Sequence, residues 1–420
     1  MTDLSESHDT QDFLIARQPI YDHDMGVIGY ELRYRHACVE RARIEDTDLA
    51  SLSVILASFL HIGLDTLVGS ALAFVRMTRR LIVDESLSPF FEGQVVLELP
   101  DDVEPDDQVI AGLTRLKAAG HKLSFGNVVD GPNDGTLLAM ADYIKLDVLK
   151  HDPEWLRRRI DLAHAHGARA VAAKVETQAL HESCKALGFD YFQGFFYCRP
   201  KTIEQRSLAS NQAVVLRLIQ QLEDPDVELR DLERILAQDV VLTYKLLRYV
   251  NSATFARRRE IESLREAMTL IGLKRIRDWA CLILMGQVAN GKPRELIVTG
   301  MIRARMCERL AERFLPEIQH QMFIVGLLSI LDALLDSEMP DLLDHLSLSL
   351  PIKLALLDRE GPQGELLRQV IEYEQGHWEA LESGDIPTDE YARTYLETLK
   401  WCDEVMKVLS DERASARRPA

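Results

Sequence analysis

The sequence has few cysteines and no long uninterrupted hydrophobic run. Its cysteines are Cys38, Cys184, Cys198, Cys281, Cys307 and Cys402. None of them forms a C-x-x-C pair, which argues against a zinc knuckle and against a compact disulfide framework. The longest apolar stretch, residues 322–335, contains Asp332 and is too short to span a bilayer. We therefore expect a cytoplasmic protein with reduced thiols and no membrane insertion.

Positive charge is also scarce relative to negative charge. The 420 residues include 49 lysines and arginines against 67 aspartates and glutamates, which leaves a formal net charge of -18. Such a surface repels the phosphate backbone of nucleic acid, so we expect no nucleic-acid partner. The hydrophobic share of 47% and the charged share of 28% are ordinary for a globular protein, and the length allows about two or three domains.

The first half of the chain alternates strand patterns with helix patterns. Apolar alternation predicts strands over 13–20, 27–35, 71–77, 94–99, 122–125, 143–146, 169–173 and 191–193. Helical spacing predicts helices over 47–61, 106–119, 153–166 and 178–187, several of them followed by a capping glycine. This alternation is typical of parallel strands covered by helices.

The second half changes to helical spacing throughout. Between residues 207 and 409 apolar residues recur with a 3.6-residue period, as in Val240, Tyr244 and Leu247 behind a predicted N-cap at Asp239. The fold class is therefore α/β plus all-α. We predict a disordered tail over 1–12, an α/β domain over 13–200, a helical domain over 201–410 and a loose tail over 411–420.

Residues at the predicted strand ends carry the most specific signal. In chain order they are Glu31, Arg76, Glu98, Leu123, Ser124, Lys145, Asp147, Ala173, Glu176 and Gln193. Their order and setting resemble the EAL domain, the bacterial cyclic di-GMP phosphodiesterase, over residues 13–200. The resemblance implies a modified TIM-like barrel, and a truncated one is an option because TIM barrels usually take roughly 250 residues.

The resemblance is good in layout and incomplete in ligands. It places Glu31 and Glu98 at metal-binding positions of the family. The supporting positions that it retains are Lys145, Asp147, Glu176 and Gln193. Other residues replace the ligands of the family: Arg76 stands for an Asn, Leu123 and Ser124 for two Asp residues, and Ala173 for a Glu. The resemblance thus predicts a degenerate, vestigial site.

Loss of these ligands bears directly on catalysis. A two-metal phosphodiester site needs several oxygen ligands, and Arg76 would add a positive charge where a cation should bind. We therefore expect no metal, no cofactor and no catalytic residue. An alternative for the retained residues is that they are polar groups at the barrel rim, held by a salt bridge such as Lys145 with Glu98 or with Asp147.

The helical half carries a second resemblance. Residues 246–285, with N-S-A at 251–253 and the A-x-x-x-I-G-L pattern at 267–273, resemble the HDOD domain, a helical relative of HD-type metal phosphohydrolases. Together the halves resemble the EAL-HDOD two-domain signalling family, which implies bacterial signal transduction. Arg257, Arg258 and Arg259, in a predicted loop, form a candidate surface for an acidic protein partner.

The expected function is that of a non-catalytic signalling or scaffold protein, not an enzyme, acting through protein-protein contacts. Two alternatives stay open: a sensor that binds cyclic di-GMP without cleaving it, and a weakly active cyclic di-GMP phosphodiesterase. Homodimer formation, the identity of the partner and the cellular process are left open as well.

Overall fold

A computed structural model describes residues 13–36, 63–83, 93–126, 134–199, 263–288, 292–344, 346, 348–382 and 384–410. The chain divides into two compact units. The first combines Met1–Tyr197 with Glu372–Arg393, and the second combines Cys198–Ile371 with Thr394–Ala420. The predicted tails and the predicted domain boundary at residues 200 and 201 lie outside the described residues. The domain bounds at 13–200 and 201–410 stay predictions.

The first unit contains a closed barrel of eight strands, in sequence order around the barrel. Strand β1 is antiparallel to its neighbours β2 and β8, and the other neighbouring pairs are parallel. The strands are β1 (Phe13–Tyr21), β2 (Val27–His36), β3 (Leu72–Arg76), β4 (Val95–Leu99), β5 (Lys122–Phe125), β6 (Tyr143–Asp147), β7 (Arg169–Ala173) and β8 (Tyr191–Gln193). This TIM-like barrel confirms the predicted fold class, and the predicted strands match its strands closely.

The interior of the barrel is apolar at mid-height. Ile20, Phe74, Val96, Tyr143 and Val171 form a buried cluster there, with one residue from each of five strands. Because side chains alternate along a strand, the residues two positions further on point to the same interior. Parallel strands also bring their carboxyl ends to one mouth of the barrel. Polar residues placed two positions beyond the cluster therefore converge at that mouth.

Helices connect the strands. In the first unit they are α1 (Leu64–Val68), α2 (Arg79–Val83), α3 (Asp107–Ala118), α4 (Asp134–Met140), α5 (Pro153–Ala165) and α6 (Gln178–Leu187). Side-chain caps begin three of them, since Asp106 accepts from the Gln108 and Val109 amides, Asp152 from the Trp155 amide and Thr177 from the Leu180 amide. The helices predicted over 106–119, 153–166 and 178–187 correspond to α3, α5 and α6. The helix predicted over 47–61 lies outside the described residues.

The β1–β2 hairpin is longer than the barrel needs. The two strands pair with each other from Phe13 opposite His36 down to the turn at 22–26. Only Ile20 and Tyr21 of β1 pair with β8, and only Gly29–Leu32 of β2 pair with β3. The outer half of the hairpin therefore extends past the barrel. It does so at the mouth, because β2 runs parallel to β3 and ends beyond Leu32.

Past residue 262 the described chain is helical, which confirms the all-helical prediction for this part. The helices are α7 (Leu264–Ile271), α8 (Leu273–Val288), α9 (Arg294–Phe314), α10 (Gln319–Leu328), α11 (Leu331–Leu335), α12 (Met339–Asp344), α13 (Leu350–Leu357), α14 (Gly361–Gln375) and α15 (Thr388–Ser410). Short 3-10 helices cover Phe196–Cys198 and Trp378–Leu381. Within the described ranges, no helix has the length and apolar character that crossing a membrane requires.

A glycine sets the approach of α2 to α3, and replacing it should weaken the barrel. A Cβ on Gly112 would lie 2.1 Å from the Ile82 carbonyl oxygen. We expect Gly112→Ala to lower the free energy of unfolding by about 1–3 kcal/mol, as overpacking does. Chemical denaturation followed by circular dichroism measures this.

Gly135→Ala is the matched control, because Gly135 lies in α4 and nothing stands within 4 Å of the added Cβ. It should leave the denaturation midpoint unchanged or raise it through helix propensity. A rise for Gly112→Ala as well would contradict the close packing of the two helices.

Candidate functional site

Four polar side chains meet at the mouth of the barrel. Glu31 of β2, Glu98 of β4, Lys145 of β6 and Gln193 of β8 form what we call the mouth cluster. The Lys145 Nζ donates to Glu31 Oε2 at 2.6 Å and to Glu98 Oε2 and Oε1 at 3.0 and 3.2 Å. The ammonium group therefore lies between two carboxylates, and the three side chains are only 10–14% exposed.

Two further residues complete this network, and sequence reasoning missed both. Gln193 Nε2 donates to Glu31 Oε2 and to Gln18 Oε1, the latter at 3.2 Å. Arg33 Nη2 donates to the same Gln18 oxygen at 3.0 Å, and its Nε lies 3.7 Å from Glu31 Oε1. The antiparallel register puts Gln18 opposite Glu31, and Arg33 follows Glu31 by two residues on the same face. The hairpin pattern was the signal that could have found them.

One positive charge shared by two buried acids sets the pKa values in the mouth cluster. Burial would raise the pKa of Glu31, but the charges of Lys145 and Arg33 and the hydrogen bonds from Lys145 and Gln193 lower it to about 2. Burial raises the pKa of Glu98, and Lys145 offsets only part of that rise. Burial opposes the charge on Lys145, but the two carboxylates outweigh it and raise its pKa. Glu31 thus stays ionised, and Glu98 is the acid that more readily holds a proton.

The other retained residues lie outside this network of hydrogen bonds. The predicted pairing of Lys145 with Glu98 is confirmed, but its alternative pairing with Asp147 is wrong. Asp147 lies two residues further along β6, where Oδ1 accepts from the Leu149 amide at 3.0 Å and Oδ2 lies 2.8 Å from Lys174 Nζ. Glu176 is exposed after β7.

The substituted positions surround the mouth cluster in different ways. Arg76 is exposed at the end of β3, beside Glu98 in the strand register, and its Nη2 donates to Asp102 Oδ1 at 2.7 Å. Its charge offsets part of the rise in the pKa of Glu98, and its predicted effect against a bound cation stays a prediction. Ser124 is fully buried beside Glu98 in the strand register, and within the described part of the chain its hydroxyl has no hydrogen-bond partner. Leu123 is buried and alternates with Ser124, while Ala173 pairs with Asp147 across β6 and β7.

The donor set decides what cations the mouth cluster can hold. Among the residues that the structure describes, no three acidic, imidazole or thiol side chains converge as a metal site. The mouth cluster offers two carboxylates, and both already bind the Lys145 ammonium. A pair of divalent cations needs several more oxygen ligands. The described residues therefore do not fit a two-metal centre.

Comparison with known families follows the division of the chain. The EAL domain model matches residues 69–200, and the HDOD domain model matches residues 208–347. The chain belongs to the EAL-HDOD two-domain family. The EAL match begins after β1 and β2, so Glu31, Arg33 and Gln18 of this EAL-HDOD protein precede the matched residues.

Two relatives share nearly the full length of the EAL-HDOD chain. Cyclic di-GMP phosphodiesterase CdgJ of Vibrio cholerae is 28% identical over 406 residues, covering 94% of this chain and 93% of that protein. Uncharacterized protein YuxH of Bacillus subtilis is 27% identical over 402 residues, covering 93% of this chain and 98% of that protein.

Solved structures resemble about half of the EAL-HDOD chain at lower identity. BlrP1 of Klebsiella pneumoniae, in complex with calcium and cyclic di-GMP, is 22% identical with a TM-score of 0.39 and covers 47% of this chain and 58% of its own. An EAL domain protein of Listeria monocytogenes is 18% identical with a TM-score of 0.35 and covers 47% of this chain and 94% of its own.

The prediction of a non-catalytic protein, not an enzyme, is wrong. That prediction rested on counting the replaced ligands. The Vibrio cholerae relative, which aligns along 94% of the EAL-HDOD chain, is named a phosphodiesterase. The comparisons do not support the predicted degeneracy of the barrel either. Arg257, Arg258 and Arg259 lie outside the described residues, and their role toward an acidic protein partner stays a prediction.

Removing the shared ammonium should destabilise the barrel in a pH-dependent way. We expect Lys145→Met to lower the free energy of unfolding by about 3–5 kcal/mol at pH 7, because two buried carboxylates lose their counter-charge. Without that charge their folded pKa values rise above the unfolded values, so the folded variant takes up protons and regains stability as pH falls toward 5. Denaturation midpoints at pH 7 and pH 5 measure both effects.

Lys174→Met is the matched control, since Lys174 is 58% exposed and also pairs with a carboxylate, that of Asp147. Its cost should stay below about 1 kcal/mol at both pH values. Equal costs for the two variants would contradict the role assigned to Lys145.

Proposed function

We propose that this EAL-HDOD protein is a cyclic di-GMP phosphodiesterase of low turnover. The observation that carries the proposal is its similarity along nearly its whole length to the Vibrio cholerae protein named for that activity. A match that spans both domains and covers 93% of the relative supports a shared activity better than a match of one domain does.

The mouth cluster supports hydrolysis of a phosphodiester. Hydrolysis adds water to phosphorus and breaks one P–O bond, which opens the cyclic dinucleotide to a linear one. Glu31, held ionised by Lys145 and Arg33, can accept the proton of the attacking water, but a pKa of about 2 makes it a weak base, which is one reason to expect slow turnover. Glu98, whose pKa is raised, is suited to donate a proton to the leaving oxygen. The Lys145 ammonium supplies positive charge toward the phosphoryl oxygens.

The same contacts explain why turnover should be low. Lys145 already donates to both carboxylates, at 2.6 and 3.0 Å. Binding the phosphoryl oxygens requires the ammonium to share these hydrogen bonds with the substrate. Divalent metal would supply further charge stabilisation in an EAL phosphodiesterase, but the described donors do not fit a metal pair.

The direct test is hydrolysis of cyclic di-GMP by the purified full chain, with Mg²⁺ or Mn²⁺ in the buffer and the linear product separated by chromatography. We expect slow formation of product. Glu31→Gln and Glu98→Gln should each lower the rate by about 100-fold, because each removes one proton-transfer group.

Glu182→Gln serves as the control for loss of one carboxylate, because Glu182 is 68% exposed on α6. It should leave the rate unchanged. Tight binding of cyclic di-GMP without any product, or rates insensitive to Glu31 and Glu98, would refute the proposal.

A further inference from the structure

A segment distant in sequence packs against the outer half of the β1–β2 hairpin. Residues 372–393, which we call the 372–393 segment, belong to the same compact unit as the barrel. The buried Tyr373 hydroxyl donates to the Ile15 carbonyl oxygen at 2.6 Å and accepts from the Ile15 amide at 3.2 Å. Its ring stacks on that of Tyr391, with centroids 6.0 Å apart. The segment is thereby fixed to β1 near the mouth.

Arg33 joins this segment to the mouth cluster through a single guanidinium group. Its Nη1 donates to the Gln375 carbonyl oxygen at 2.7 Å, and its Nη2 donates to Gln18 Oε1 at 3.0 Å. Its Nε faces Glu31 Oε1 at 3.7 Å. Because the guanidinium is planar and rigid, a shift at the Gln375 contact also displaces the other two.

The end of α14 favours an arginine at this place. Gln375 is the last residue of α14, so its carbonyl group has no partner within the helix and lies at the negative end of the helix dipole. Gly376 follows with a φ of +75°, and a Cβ there would lie 3.1 Å from Arg33 Cδ. Arg33 therefore both caps the helix end and packs directly against it.

The hydrogen bonds continue from Arg33 to the reacting groups of the proposed site. Gln18 Oε1 also accepts from Gln193 Nε2 at 3.2 Å, and Gln193 donates to Glu31 Oε2. The same Glu31 oxygen accepts from Lys145 at 2.6 Å. An unbroken series of polar contacts thus runs from the 372–393 segment to Lys145.

We propose that Arg33 is a positioning residue through which the 372–393 segment holds Glu31 and Gln193 in the orientation used for phosphodiester hydrolysis. The proposal rests on the proposed function. Arg35 provides the comparison for a purely structural role. It lies two residues further along β2 and bonds the same segment through Glu382 Oε1 at 2.6 Å. Its loss weakens attachment of the segment without removing a contact to Glu31.

The first test measures kcat, KM and the denaturation midpoint of the full chain. Arg33→Gln should lower kcat by about 10-fold and leave KM nearly unchanged, as loss of a residue that supports a reacting group does. Arg33→Lys should lower kcat to a similar extent, because lysine keeps the positive charge but lacks the planar guanidinium group that makes the three contacts of Arg33. Arg35→Gln should leave kcat unchanged. Equal kcat for Arg33→Gln and Arg35→Gln, or full kcat for Arg33→Lys, would overturn the proposal.

The second test acts from the segment side and needs no turnover. The methyl group of Gly376→Ala would lie 3.1 Å from Arg33 Cδ and should displace the Arg33 side chain. Gly361→Ala is the control, because it places alanine at a similar left-handed φ of +72° at the other end of α14. With nitrogen-15 glutamine, the side-chain amide signals of Gln18 and Gln193 should shift in Gly376→Ala and stay in place in Gly361→Ala. Unmoved signals in Gly376→Ala would overturn the role of Arg33. Absence of hydrolysis in the unmodified protein would instead refute the proposed function, and the amide signals would still decide this inference.

Discussion

The mouth of this barrel depends on one ammonium group held between two buried carboxylates. Neither Glu31 nor Glu98 could be buried at 12–14% exposure as an isolated charge without a large desolvation cost, and Lys145 offsets that cost for both. At Glu31 the charge of Arg33 and the hydrogen bond from Gln193 add to the effect of Lys145. The pKa of Glu31 therefore falls while that of Glu98 rises, and two chemically identical groups differ in how readily they hold a proton.

The reversed first strand is the second constraint. Because β1 runs antiparallel to β2 and β8, it brings Gln18 beside Glu31, with Gln193 bonding both. If β1 ran parallel to its neighbours, its carboxyl end would lie at the mouth in place of its amino end. The hairpin also leaves an outer half beyond the barrel, and this half is where the 372–393 segment binds through Tyr373 and Arg33.

Most features that could be predicted from the sequence depend on residues close together in the chain. Strands and helices were predictable because alternation and capping residues act over a few positions, as at Asp106 and Thr177. The Lys145–Glu98 pair was predictable because both residues lie near the carboxyl ends of parallel strands. Gln18 and Arg33 were missed because their role depends on antiparallel register, and the bond from Arg76 to Asp102 was missed because Asp102 lies in a loop. Activity was misjudged because the number of ligands lost says little about the groups that replace them.

The contact between Tyr373 and Ile15 joins residues 358 positions apart. During synthesis the start of β1 leaves the ribosome long before its partner exists, so the outer half of the hairpin must wait for nearly the whole polypeptide. Loop closure over such a separation is slow relative to local pairing. Completion of the barrel mouth is therefore tied to completion of the chain, and a nascent fragment that stops within the helical half cannot present the finished arrangement.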